Sequence, residues 1–136
     1  WLDGVERKYI EEVGAMNIFF VIGDELITPA LQGSILPGIT RDTVLQLGRQ
    51  WGLAVSERRI AIDEVLQAAE TGKLREVFGS GTAAVISPVG QIKYGKRVVA
   101  VGDGQVGALA SRFYNAITDI QYGRAQGPQG WVVPVA

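Results

Sequence analysis

The chain has 136 residues, 47% of them hydrophobic and 20% charged, which is enough for one globular domain and too apolar for wholesale disorder. Thirteen basic and fourteen acidic residues leave a formal charge of -1, so the electrostatic footprint of a nucleic-acid binder is missing. The absence of cysteine and histidine excludes disulfides, thiolate nucleophiles, cysteine zinc sites and the commonest general base. No metal is therefore expected, and any chemistry must come from carboxylates, Lys, Arg, Tyr, hydroxyls, backbone dipoles or a bound cofactor.

A start at Trp1, with no methionine before a strand-like WLDG, suggests a boundary set by truncation or cleavage. No basic start followed by an apolar core marks a signal peptide, and the richest apolar run, Ile18 to Ile22, is too short to span a bilayer. A cytoplasmic protein without a membrane partner is expected. Met16 to Ile22 and Glu25 to Thr28 read as a hairpin around Gly23-Asp24. From Thr40, the residues Val44, Leu47, Gly48 and Trp51 recur at helical spacing until Gly52. Leu53 to Ile60 then alternates as a strand, and Ile62, Val65, Leu66 and Ala69 mark a second helix that stops near Gly72.

Glu76 to Phe78 and Ala83 to Ile92 read as strands around GSGT, with a turn at Tyr94-Gly95-Lys96 before Arg97 to Val101. Leu109, Ala110, Phe113, Ile117 and Ile120 place an apolar stripe on a last helix that ends at Gly123, and Gln126 to Gly130 reads as a flexible tail before WVVPV. These elements make an α/β domain with a mixed sheet.

Four features bear on chemistry. Pro37-Gly38-Ile39-Thr40-Arg41 feeds a loop into a helix, so free N–H groups and the positive end of the helix dipole face outward. That is either an anion site or a helix start capped by the Thr40 hydroxyl. GSGT at Gly79 to Thr82 exposes amides without Cβ atoms and adds a hydroxyl, which suits a ligand, a β-bulge or a tight strand connection. Glu11 and Glu12 precede a strand; the ordinary reading is a surface salt bridge, the alternative a carboxylate that keeps a heteroaromatic nitrogen protonated. Gly102 to Gly107 matches GxGxxG, but no following strand with an acidic residue about 20 positions on completes a dinucleotide fingerprint, so it reads as a turn and helix start. Lys8, Lys73, Lys93 and Lys96 all sit in polar settings, unlike the desolvated one a Schiff-base lysine needs.

Taken jointly and in order, GSILPGITRD (Gly33 to Asp42), REVFGSGTAAVISPV (Arg75 to Val89) and TDIQYG (Thr118 to Gly123) resemble the C-terminal half of branched-chain amino acid aminotransferases, pyridoxal-phosphate enzymes of fold type IV. The likeness runs from Trp1 to about Val133. It implies that residues 1–136 are the cofactor-binding C-terminal domain, a mixed sheet forming a partial barrel with surrounding helices. The resemblance further implies that Glu12 pairs with the pyridine nitrogen, that the Ile39 and Thr40 amides grip the cofactor phosphate, and that Thr82 adds its hydroxyl. Leu36 and Gly38 would line the ring side, with Gly81 in the second cofactor loop. Thr82 and Ala83 would receive the substrate carboxylate, with Met16 and Ala84 near the substrate pocket. Ala84 and Ser87 stand where some relatives carry Cys-x-x-Cys, which rules out a thiol switch there.

No catalytic residue is expected within the chain, since the Schiff-base lysine, its neighbouring tyrosine, a phosphate-binding arginine and the smaller N-terminal domain all belong upstream. The implied activity of the complete protein is ping-pong transfer of the amino group of leucine, isoleucine or valine to 2-oxoglutarate, the fragment alone being inactive. Its implied partners are the missing N-terminal domain, a second copy in a homodimer or higher oligomer, and amino acid and 2-oxo acid substrates. Alternatives are a D-amino acid aminotransferase or aminodeoxychorismate lyase of the same fold, and a non-catalytic ligand-binding module.

Overall fold

A computed structural model describes residues 1–135. The opening hairpin forms as the alternation predicts, with β1 (Glu12–Val13) paired to β2 (Met16–Ile22) and β2 turning through Gly23-Asp24 into β3 (Glu25–Thr28). Helix α1 (Ile39–Gln50) then crosses to β4 (Ala54–Glu57), which runs parallel to β3. This strand is shorter than the predicted Leu53 to Ile60. Bonding to the β3 side carries on only to Arg58, whose N–H donates to the Thr28 carbonyl at 3.1 Å and whose carbonyl accepts from the Ala30 amide at 3.3 Å, and the Ile60 carbonyl instead accepts from the Ile10 amide at 2.9 Å.

Helix α2 (Ile62–Glu70) leads into β5 (Leu74–Gly81), which lies antiparallel to β2 and to β6 (Val85–Pro88). Gly79, Ser80 and Gly81 thus belong to a central strand, and the loop of the GSGT region is Thr82 to Ala84. The predicted strand from Ala83 to Ile92 is two: after Val89, whose N–H still donates to the Val77 carbonyl at 2.8 Å, the chain leaves the sheet, and among the described residues β7 (Gln91–Tyr94) pairs only with β8 (Arg97–Ala100). The main sheet has the order β4-β3-β2-β5-β6 with β1 on β2, and it remains open. Helix α3 (Ala108–Gln121) closes the fold.

All three helices end alike. Gly52, Gly72 and Gly123 take the left-handed conformation that L side chains resist, at φ 75°, 71° and 70°. In each case the glycine amide and the next one bond back onto the last turn, as Gly123 does to Ile120 and Arg124 to Asp119.

Strand alternation sorts side chains to two cores. Phe20, Ile18, Val77 and Leu74 pack with α2, Ile60 and the β7–β8 hairpin. Phe19, Val21 and Phe78 pack with α1 and α3, where Phe19 stacks on Phe78 at 5.2 Å and Trp51 on Phe113 at 4.7 Å. The predicted flexible tail is folded back, because Gly127 presses on Ile120 and Trp131 packs at the edge of the second core.

Candidate functional site

On the α1 and α3 face of the sheet, β2 presents Asn17, Phe19 and Val21, and β5 presents Ser80, Phe78 and Glu76, with Asn17 opposite Ser80, Phe19 opposite Phe78 and Val21 opposite Glu76. The middle of this face is aromatic core and both ends are polar. At one end the Glu76 carboxylate accepts the Leu109 amide at 2.9 Å and the Ala110 amide at 2.8 Å, so the start of α3 is plugged by the protein's own anion. This is the physical reason that Gly102 to Gly107 is a turn and helix start: the amides a phosphate would use are taken.

The other end is different. Helix α1 starts at Ile39, with Gly38 extended as its N-cap (φ -66°, ψ 138°) and no side-chain cap. Thr40 lies inside the first turn, so the capping reading of its hydroxyl fails, and the Ile39, Thr40 and Arg41 amides lack intrahelical acceptors. The loop before them is clamped from the sheet. The Leu36 N–H donates to Glu12 Oε1 at 3.2 Å, and the Leu36 carbonyl accepts from Asn17 Nδ2 at 2.8 Å. Glu12 and Asn17 are cross-strand partners, so their side chains leave the same face together. Ser34 Oγ adds a 2.8 Å bond to Glu11, so both glutamates hold this loop and, among the described residues, neither makes the surface salt bridge of the ordinary reading.

Arg41 faces inward. It is 3% exposed, with Nη2 bonded to the Pro29 carbonyl and to Glu57 Oε2, both at 2.9 Å. Glu57 also takes Arg49 at 2.7 Å, and the bonds from Arg49 and then Arg41 outweigh burial and lower its carboxyl below the usual range. This triad fastens α1 to the β3–β4 edge and uses up the Arg41 charge within the fold.

The sequence-derived site residues fall into two groups. Glu12, Leu36, Gly38, Ile39 and Thr40 gather at the α1 start, where Leu36 and Ile39 are exposed. Gly81, Thr82, Ala83 and Ala84 form the end of β5 and its exposed turn. Met16 projects from the opposite face, where it covers Gly79 and Gly81, which have no Cβ to displace it. Between the groups lie Asn17, which no motif singled out, and Ser80, which lies within GSGT but was given no role of its own. A signal existed for both: each falls in the strand phase of Phe19 or Phe78, and a polar residue at a core phase is the informative exception. The Ser80 hydroxyl is buried and has no partner among the described residues. Val85 closes the turn at φ 57°, a conformation that costs a β-branched residue energy and marks the loop as held by its surroundings.

All four lysines are exposed. Among the described residues no group of three or more His, Cys, Asp or Glu could hold a metal ion, and no helix is long and apolar enough to cross a membrane.

The family model "Amino-transferase class IV" matches residues 5–92. The chain belongs to the class IV aminotransferases. It is 56% identical over 135 residues to branched-chain-amino-acid transaminase 1 of Bacillus subtilis, covering 99% of the chain and 38% of that protein. It is 50% identical over 136 residues to the branched-chain-amino-acid aminotransferase of Mycobacterium tuberculosis, covering 97% of the chain and 37% of that protein. Among solved structures, the Escherichia coli branched-chain amino acid aminotransferase superimposes with TM-score 0.76 at 33% identity, over 90% of the chain and 37% of the neighbour. A T.th. branched-chain amino acid aminotransferase complexed with N-(5'-phosphopyridoxyl)-L-glutamate does so with TM-score 0.79 at 30% identity, over 97% and 40%. The chain thus spans about two fifths of the length of the relatives it matches.

Proposed function

We propose that residues 1–136 are the cofactor-binding C-terminal domain of a cytoplasmic, pyridoxal-phosphate-dependent aminotransferase that moves the amino group of leucine, isoleucine or valine to 2-oxoglutarate. The observation that carries this reading is the α1 start, where uncapped amides follow a loop clamped at Leu36 by Glu12, in a chain 56% identical to a branched-chain transaminase. The residues fit the cofactor on two counts. The Ile39 and Thr40 amides are donors without acceptors, and among the described residues the buried Ser80 hydroxyl lacks a partner.

When bound, pyridoxal phosphate supplies an electron sink for the α-carbanion of the amino acid. The chain's own contributions are binding and orientation. Glu12 Oε1 is engaged by Leu36, which leaves Oε2 to hold a proton on the ring nitrogen. Ile39, Thr40 and the Thr82 hydroxyl take the phosphate, while Leu36, Gly38 and Gly81 border the cofactor. Thr82 and Ala83 amides meet the substrate carboxylate and Ala84 limits its side chain, while Met16, turned to the other face of the sheet, supports β5 from behind at Gly79 and Gly81. The lysine that moves the α-proton, the remaining phosphate ligands and the oligomer partner belong to the rest of the protein.

The test is transamination by the complete protein. L-leucine with 2-oxoglutarate is expected to give glutamate, and D-alanine none. A complete protein that binds no pyridoxal phosphate and leaves leucine untouched overturns the proposal.

A further inference from the structure

We infer that Asn17 is the positioning residue that keeps the α1 start open for phosphate. The inference rests on the cofactor reading above and adds a residue to it. Asn17 is 6% exposed and stands between the two groups of site residues, opposite Glu12 on one side and Ser80 on the other. Its Nδ2 holds the Leu36 carbonyl at 2.8 Å, and its Oδ1 occupies the space a Cβ at Gly38 would need. One side chain thus sets both the loop and its N-cap, two and three residues before the Thr40 and Arg41 amides. Glu12 holds the other side of the same Leu36 peptide, so the carboxylate for the ring and the amides for the phosphate are fixed through one shared residue.

The chemistry of position 17 matters because the sheet shows the alternative. At the far end of the same face Glu76 reaches a helix start and consumes its amides. Asn17 holds its helix start through a neutral amide that donates to the loop and brings no negative charge toward the α1 amides. Aspartate at 17 could not donate to Leu36 and would set a like charge against an incoming phosphate.

The experiment uses the complete protein stripped of cofactor, with affinities measured for pyridoxal 5'-phosphate, for pyridoxal, and for inorganic phosphate as competitor. Asn17→Ala should weaken pyridoxal phosphate on the order of tenfold, as expected for one lost orienting bond, with pyridoxal binding within about twofold. Asn17→Asp should weaken it on the order of a hundredfold and abolish competition by inorganic phosphate, again sparing pyridoxal. If the aspartate variant does not fold, Asn17→Ser, which is neutral and too short to hold Leu36, should match Asn17→Ala in weakening pyridoxal phosphate and sparing pyridoxal. Parallel loss of both cofactors, or unchanged preference for the phosphate-bearing one, overturns the role of Asn17. A wild-type protein that binds neither overturns the cofactor reading itself.

Discussion

Asp3 shows how one side chain can organise a segment without any motif announcing it. Its carboxylate accepts the amides of Glu6 at 2.6 Å, Lys8 at 2.8 Å and Tyr9 at 2.8 Å, which lets the chain between Leu2 and Ile10 double back. These bonds, led by the one from Tyr9, hold its carboxyl well below the ordinary range against the opposing effect of burial. A depressed folded-state pKa contributes stability above the unfolded value of about 4 and loses it as pH falls further. Asp3→Asn should therefore destabilise the protein at neutral pH and flatten the acid limb of its stability profile, read by urea melts from pH 7 to pH 2. An acid limb as steep as wild type would rule this out. The same scale holds the residues the sequence concealed. Asn17 belongs to no recognisable signature and Ser80 sits in GSGT without an assigned role, and only pairing of β2 with β5 sets them side by side.

At the level of elements, local signals and long-range pairing divided the outcome. Helix stops at Gly52, Gly72 and Gly123, and the hairpin at Gly23-Asp24, are local backbone chemistry and were legible. Strand limits were not: β4 stops short because Ile60 turns to bond with Ile10, and the GSG run became strand because β2 and β6 flank it. The start of α3 depends on Glu76, 33 residues from Leu109, a distance no helix-cap pattern reads. Glu76→Ala should cost about 1–2 kcal/mol by leaving two helix amides unpaired, and Glu76→Gln less, since it keeps an acceptor but loses the charge on the dipole. Equilibrium denaturation of the two variants checks the order; equal stability of Glu76→Ala and wild type would show that water caps α3 as well.

For the whole molecule, the arrangement is a sheet with a core on each face and the uncapped start of α1 at one end. Lys8, Lys73, Lys93 and Lys96 are all exposed, away from the desolvated setting a Schiff-base lysine needs. Residues 1–136 expressed alone, treated with pyridoxal phosphate at micromolar concentration and then borohydride, should show no dominant labelled lysine by peptide mass spectrometry. Stoichiometric labelling of one of the four would contradict the assignment of that function to an upstream lysine. Sequence by itself determined the family, the number and type of the helices, and Glu12, Ile39, Thr40 and Thr82 as site candidates, because those rest on residue types in contiguous stretches. Only the tertiary structure decided that α1 starts uncapped while α3 is plugged, and that Asn17 joins Glu12 in clamping Leu36. Those facts depend on which strands lie side by side, and strand order is set by burial of both faces at once, a property no local stretch contains.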